Sequence, residues 1–69
     1  MKDNLFLNRI GKKVRDARKS KGITVRMLGE MCKIDYANIS RFENGKQDIK
    51  MLTLKTIADK LGVNIKDFL

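Results

Sequence analysis

Residues 24–46 read TVRMLGEMCKIDYANISRFENGK, and two short helices with almost nothing between them follow from that string. Thr24 is a favourable N-cap for a segment whose inward set is Leu28, Met31 and Cys32. Asp35 caps a second segment with Ile39 and Phe42 inside, and Asn44-Gly45 terminates it. The expected helices are 24–32 and 35–44, joined only by Lys33 and Ile34. So short a joint makes them cross steeply with their apolar faces touching. A close crossing needs a small residue at the approach, and Gly29 occupies that position. Glycine costs up to about 1 kcal/mol of helix propensity relative to Ala, so packing accounts for it better than helix formation does. Tyr36, Ala37, Asn38, Ser40 and Arg41 remain on the outer edge of the second helix, facing solvent or a ligand.

The flanking sequence supplies the rest of the core. Leu7, Ile10, Val14 and Ala17 are spaced 3-4-3, which predicts a helix over 4–20 with Lys12, Lys13, Arg15 and Lys19 on its other face and Gly22 at its end. Downstream, Leu54, Ile57, Ala58 and Leu61 form the i, i+3, i+4, i+7 stripe of a helix over 50–61. Asn64 with Asp67 resembles a capping box and opens a last helical turn ending in Phe68 and Leu69. No stretch alternates apolar and polar residues long enough to make a strand. The expectation is one all-α domain of five helices spanning 1–69, without repeat, linker or low-complexity segment.

Composition removes several functional classes. The 69 residues include 16 Lys plus Arg against 8 Asp plus Glu, a net charge of +8, and such a field on a small body attracts phosphates most strongly. With no His and one Cys, a single subunit cannot assemble a zinc site, a disulfide, or a Cys-His or Ser-His-Asp catalytic group. No paired carboxylates suggest acid-base chemistry, so the chain is not expected to be an enzyme or to carry a cofactor, metal or small-molecule ligand. Nowhere do ~18 apolar residues follow one another, so no membrane association is expected and the expected location is cytoplasmic. Cys32 and the four Met residues read as core filling.

Two helices crossing at so short a turn have helix-turn-helix geometry, and the 24–46 segment resembles that of the phage repressor and Cro type, the XRE family. The matching positions are Thr24, Leu28-Gly29 and Phe42-Glu43-Asn44-Gly45-Lys46. Further on, LTLKTIADKLGVNIKDFL is similar to the family's ending, Leu-x-x-Ile-Ala-x-x-Leu-Gly-Val. The likeness covers about residues 5–69. Three positions depart from the pattern: Lys33 where the turn usually has Gly, Val25 where Gln is common, and Gln47-Asp48-Ile49 where a Pro usually precedes helix 4. Lys33 would have to adopt a left-handed backbone at a cost of roughly 1 kcal/mol, which predicts a distorted turn.

The resemblance implies a compact five-helix DNA-binding domain. It further implies a bacterial or phage-encoded, nucleoid-associated regulator, acting as a repressor or autoregulator on an inverted repeat. The DNA major groove admits one helix, N-terminal half first, which nominates Tyr36, Ala37, Asn38 and Arg41 for base edges. Arg41 suits guanine, Asn38 adenine and Ala37 a thymine methyl. Thr24, Arg26, Ser40, Asn44, Lys46 and Lys50 fall where phosphates would lie. Arg18 and Glu43 are implied as a structural ion pair. One short recognition helix reads too few base pairs to single out a genomic site, so a homodimer is expected, with Val63, Ile65, Phe68 and Leu69 as its apolar contact. The competing reading is an antitoxin or other protein-interaction module of a two-component operon, with DNA binding secondary.

Overall fold

The computed structural model describes residues 2–69. Four α-helices and one 3-10 turn follow in order: α1 Lys2–Ser20, α2 Val25–Cys32, α3 Tyr36–Glu43, α4 Met51–Leu61, and the 3-10 turn Ile65–Phe68. The chain is all-α, and the fifth helix expected from sequence is this single 3-10 turn. Asn64 accepts from the Lys66 N–H at 2.9 Å, two residues on rather than three, so it makes a short Asx-type turn in place of the anticipated capping box.

Each boundary has a local cause. Thr24 Oγ1 accepts from the Met27 N–H at 3.1 Å, and Asp35 Oδ1 accepts from the Ala37 N–H at 2.9 Å. Both satisfy a donor that the first helical turn leaves open. Lys33 closes α2 with φ 57° and ψ 46°, the left-handed geometry expected of it, which a non-glycine residue adopts at a cost of roughly 1 kcal/mol. The turn is therefore regular, and the distortion expected from the missing glycine does not occur. The Lys33 side chain simply projects into solvent.

The core is Ile10 and Val14 of α1, Leu28 of α2, Ile39 and Phe42 of α3, Leu54, Ile57, Ala58 and Leu61 of α4, and Phe68. α3 lies at its centre, packed on both α1 and α2, while α4 closes over α2 and the 3-10 turn. Two helical glycines permit these approaches. A Cβ on Gly29 would lie 2.8 Å from the Ile34 carbonyl oxygen and 3.0 Å from Tyr36 Cβ. One on Gly11 would run into the carbonyl oxygens of Phe42 and Glu43, a role for Gly11 that helical periodicity does not reveal.

Met31 departs from its expected inward position and lies at the surface, 36% exposed. The buried edge of α2 runs through Val25, Leu28, Gly29 and Cys32, and about 100° of rotation per residue carries Met31 off its flank. Phe68 departs in the other direction. At 1% exposure it is a core residue and is unavailable to a partner. The 3-10 turn packs against α1 and α4, which covers the Phe68 ring.

Candidate nucleic-acid interface

α3 is fastened by its apolar edge and free along its polar one. Ile39, Phe42 and Glu43 are buried, Tyr36 and Arg41 are exposed, and Ala37, Asn38 and Ser40 lie half-buried between them. The four nominated base-reading residues, Tyr36, Ala37, Asn38 and Arg41, therefore share the outer side of one helix.

Glu43 fixes the helix from behind. Arg18 Nε donates to Glu43 Oε2 at 2.8 Å and Nη2 donates to Oε1 at 2.9 Å, a two-pronged contact with both side chains almost wholly out of solvent. Arg18 Nη1 also donates to the Ile23 carbonyl at 2.8 Å. The hydrogen-bonded Glu43 carboxylate holds the Arg18 guanidinium above its ordinary pKa, against the opposing effect of burial. One cation thus joins the end of α1, the loop before α2 and the end of α3.

Two cationic groups on the outer edge are held in place. The Arg26 guanidinium lies over the Tyr36 ring, 4.9 Å from its centroid, and its Nη2 donates to Tyr36 Oη at 3.2 Å. Cation and ring restrict each other, so a residue nominated for phosphate and one nominated for bases form a single unit across the α2–α3 turn. Arg41 is held by two oxygens: Nε donates to Gln47 Oε1 at 2.9 Å, and Nη2 donates to Asn38 Oδ1 at 2.6 Å. Gln47 escapes sequence reasoning because it stands six positions after Arg41, beyond the helix.

The remaining nominated residues rim this edge. Thr24 spends its hydroxyl lone pair on the α2 cap while its O–H stays free to donate. Asn44 turns one amide N–H back to the Ser40 carbonyl at 2.9 Å, leaving the other outward. Lys46 and Lys50 stand exposed in the segment joining α3 to α4. Gly45, at φ 72°, reverses the chain there, and the Lys46 N–H bonds the Arg41 carbonyl at 2.9 Å, as a helix-ending motif of this type requires.

The four residues nominated for self-association are not brought together. Phe68 is buried, Val63 and Ile65 line a groove with Lys55 and Asp59, and Leu69 lines a different one with Phe6 and Met51. Cys32 is half-buried, and burial pushes its thiol pKa up, offset in part by the positive charge of Lys60. Among the described residues no helix is long and apolar enough to cross a membrane.

Comparison with known proteins agrees with this geometry. The fold is similar to that of the restriction-modification controller protein C.AhdI from Aeromonas hydrophila, with a TM-score of 0.88 and 19% identity over 91% of this chain and 96% of that one. It is similar to the clp gene regulator ClgR from Corynebacterium glutamicum, with a TM-score of 0.88 and 25% identity over 91% of this chain and 67% of that one. An HTH_3 family transcriptional regulator from Vibrio cholerae gives a TM-score of 0.88 and 24% identity, over 96% of this chain but 37% of that longer one. No curated protein sequence is similar enough to match. The helix-turn-helix family profile HTH_3 matches residues 14–68, nearly the whole fold and both helices of the crossing, and the chain belongs to that XRE-type helix-turn-helix family.

Proposed function

We propose that this protein is a sequence-specific DNA-binding transcriptional regulator that reads an inverted repeat as a homodimer, with α3 in the major groove, and that it represses, its own promoter included. The observation carrying this reading is the two-sided character of α3. Its inner edge is locked by Ile39, Phe42 and the Glu43–Arg18 pair, and its outer edge presents Tyr36, Asn38 and Arg41 on a chain of net charge +8. Tyr36, Ala37, Asn38 and Arg41 meet base edges in this reading. Thr24, Arg26, Ser40, Asn44, Lys46 and Lys50 meet the backbone and set the register.

For the second subunit, the exposed apolar side chains Phe6, Met51 and Leu69 around one groove are the contact the structure favours. Asp48 and Ile49 line both that groove and the neighbouring one beside Asn38 and Gln47. In this reading the two subunits meet there and present their recognition helices to half-sites about 34 Å apart.

Selection of bound duplexes from a random pool tests the reading, and an inverted repeat is the expected product. If a dimer neutralises some 6–8 phosphates, log K against log salt should slope at about −5 to −7. Phe6→Glu should give a folded monomer with weakened binding to the repeat. A chain that ignores every duplex at low ionic strength would end the proposal.

A further inference from the structure

We infer that Gln47 is a specificity-determining positioning residue: with Asn38 it holds the Arg41 guanidinium as a preset fork, so that Arg41 and Asn38 read DNA as one unit. The inference rests on the DNA-binding reading and deepens it.

Hydrogen-bond chemistry fixes the orientation of all three side chains. A guanidinium carries five N–H donors and no acceptor. The carboxamide oxygens, not the nitrogens, must therefore face Arg41, as the 2.9 Å contact from Nε to Gln47 Oε1 and the 2.6 Å contact from Nη2 to Asn38 Oδ1 require. The Nε edge is consumed. One N–H on Nη2 and both on Nη1 remain, enough for a two-pronged contact to guanine O6 and N7 made end-on and not through Nε.

The same contact changes what Asn38 can do. Two-pronged adenine recognition by an Asn needs its oxygen to accept from N6 and its nitrogen to donate to N7. The Asn38 oxygen is already engaged by Arg41. One lone pair of that oxygen and both N–H groups remain, so Asn38 can still meet adenine, but only in the orientation in which its oxygen also accepts from Arg41.

Gln47 owes its place to the backbone. The chain reversal at Gly45 and the Lys46 N–H bond to the Arg41 carbonyl bring the following residue back along the helix it has just left. Gln47 and Asn38 are both half-buried and line one groove with Ile34, Ile39 and Thr53. A long exposed arginine otherwise loses rotamer freedom when it docks on a base. Two oxygens on a packed surface remove part of that loss beforehand.

The test compares Gln47→Leu, which removes the acceptor and keeps the bulk, with Gln47→Glu, which keeps an acceptor, and with Arg41→Ala. Base preferences are measured by pool selection, alongside affinity for random duplex. Gln47→Leu should lower discrimination about five- to tenfold at the one base pair whose preference Arg41→Ala abolishes, with random-duplex affinity within twofold of the unaltered chain. Gln47→Glu should retain that preference, and Arg41→Ala/Gln47→Leu should be no worse than Arg41→Ala. In the free protein, the Arg41 Nε–H resonance should move and exchange faster in Gln47→Leu, a readout that needs no DNA. Equal losses on selected and random duplex, or losses that add to those of Arg41→Ala, would overturn the inference while leaving DNA binding standing. Absence of any duplex binding by the unaltered chain would overturn both, and the Nε–H signal would still report whether the fork exists.

Discussion

Replacing Arg18 with alanine is the most demanding perturbation the structure allows, because three separate bonds end on that side chain. It leaves the Glu43 carboxylate, whose side chain is only 4% exposed, without either of its guanidinium contacts, and strips the Ile23 carbonyl of its donor. Removing one member of a buried pair typically costs about 3–5 kcal/mol. A chain of this size has roughly 3–10 kcal/mol in total, so the single variant should be largely unfolded or close to it. Replacing both members with apolar side chains of similar volume, Arg18→Met with Glu43→Leu, leaves no stranded charge and is expected to lie within about 1–2 kcal/mol of the parent. Urea titration followed by far-UV circular dichroism measures Arg18→Ala and all four corners of the cycle formed by the parent, Arg18→Met, Glu43→Leu and the double. Melting should fall roughly 12–40 °C for the singles, at about 4–8 °C per kcal/mol for a domain this small. An Arg18→Ala cost below 1 kcal/mol would refute the reasoning, as would single costs that sum to that of the double. The exposed i,i+4 pair Lys55–Asp59, at 3.0 Å, is the internal control, since disrupting it should cost no more than about 0.5 kcal/mol.

Three further outcomes follow from particular contacts. Gly29→Ala should destabilise despite gaining up to about 1 kcal/mol of helix propensity, because the new Cβ meets the Ile34 carbonyl at 2.8 Å; a rise in melting temperature would show that the crossing can relax. Lys33→Gly should stabilise by up to about 1 kcal/mol by relieving a left-handed non-glycine residue, and an unchanged urea midpoint would count against that. Iodoacetamide should react with Cys32 more slowly than with a free thiol at mildly alkaline pH and reach the free rate in denaturant, since burial raises its pKa. A folded-state pKa above the unfolded one means this contribution to stability is complete below the ordinary thiol range and is lost as pH rises through the folded value. A native rate equal to the free rate would remove the argument.

Much of the architecture was legible because each signal is local. The caps at Thr24 and Asp35, the stops at Gly22 and Asn44-Gly45, and the apolar stripes of α1 and α4 depend on residues within a turn or two of one another. Met31 and Phe68 were misassigned for a common reason. A stripe shows that a side chain is apolar, but the direction in which its helix is approached decides whether it is covered. The apolar contact expected at Val63, Ile65, Phe68 and Leu69 failed as a unit because neighbours in sequence there point into three different surroundings.

From the order of residues alone came the all-α class, the short crossing at Lys33-Ile34 and the solvent-facing edge of α3, while the pairing of Arg18 with Glu43 came from the resemblance to the XRE family. Only the assembled chain decided that Gln47 lies against Arg41, that Arg26 covers Tyr36, and that the Asn38 oxygen accepts from Arg41. Helical periodicity relates positions three or four apart on one rod. Contacts across a turn or between separate helices depend on how the backbone is reversed and how closely the rods can approach, and those distances exist only once the core has closed.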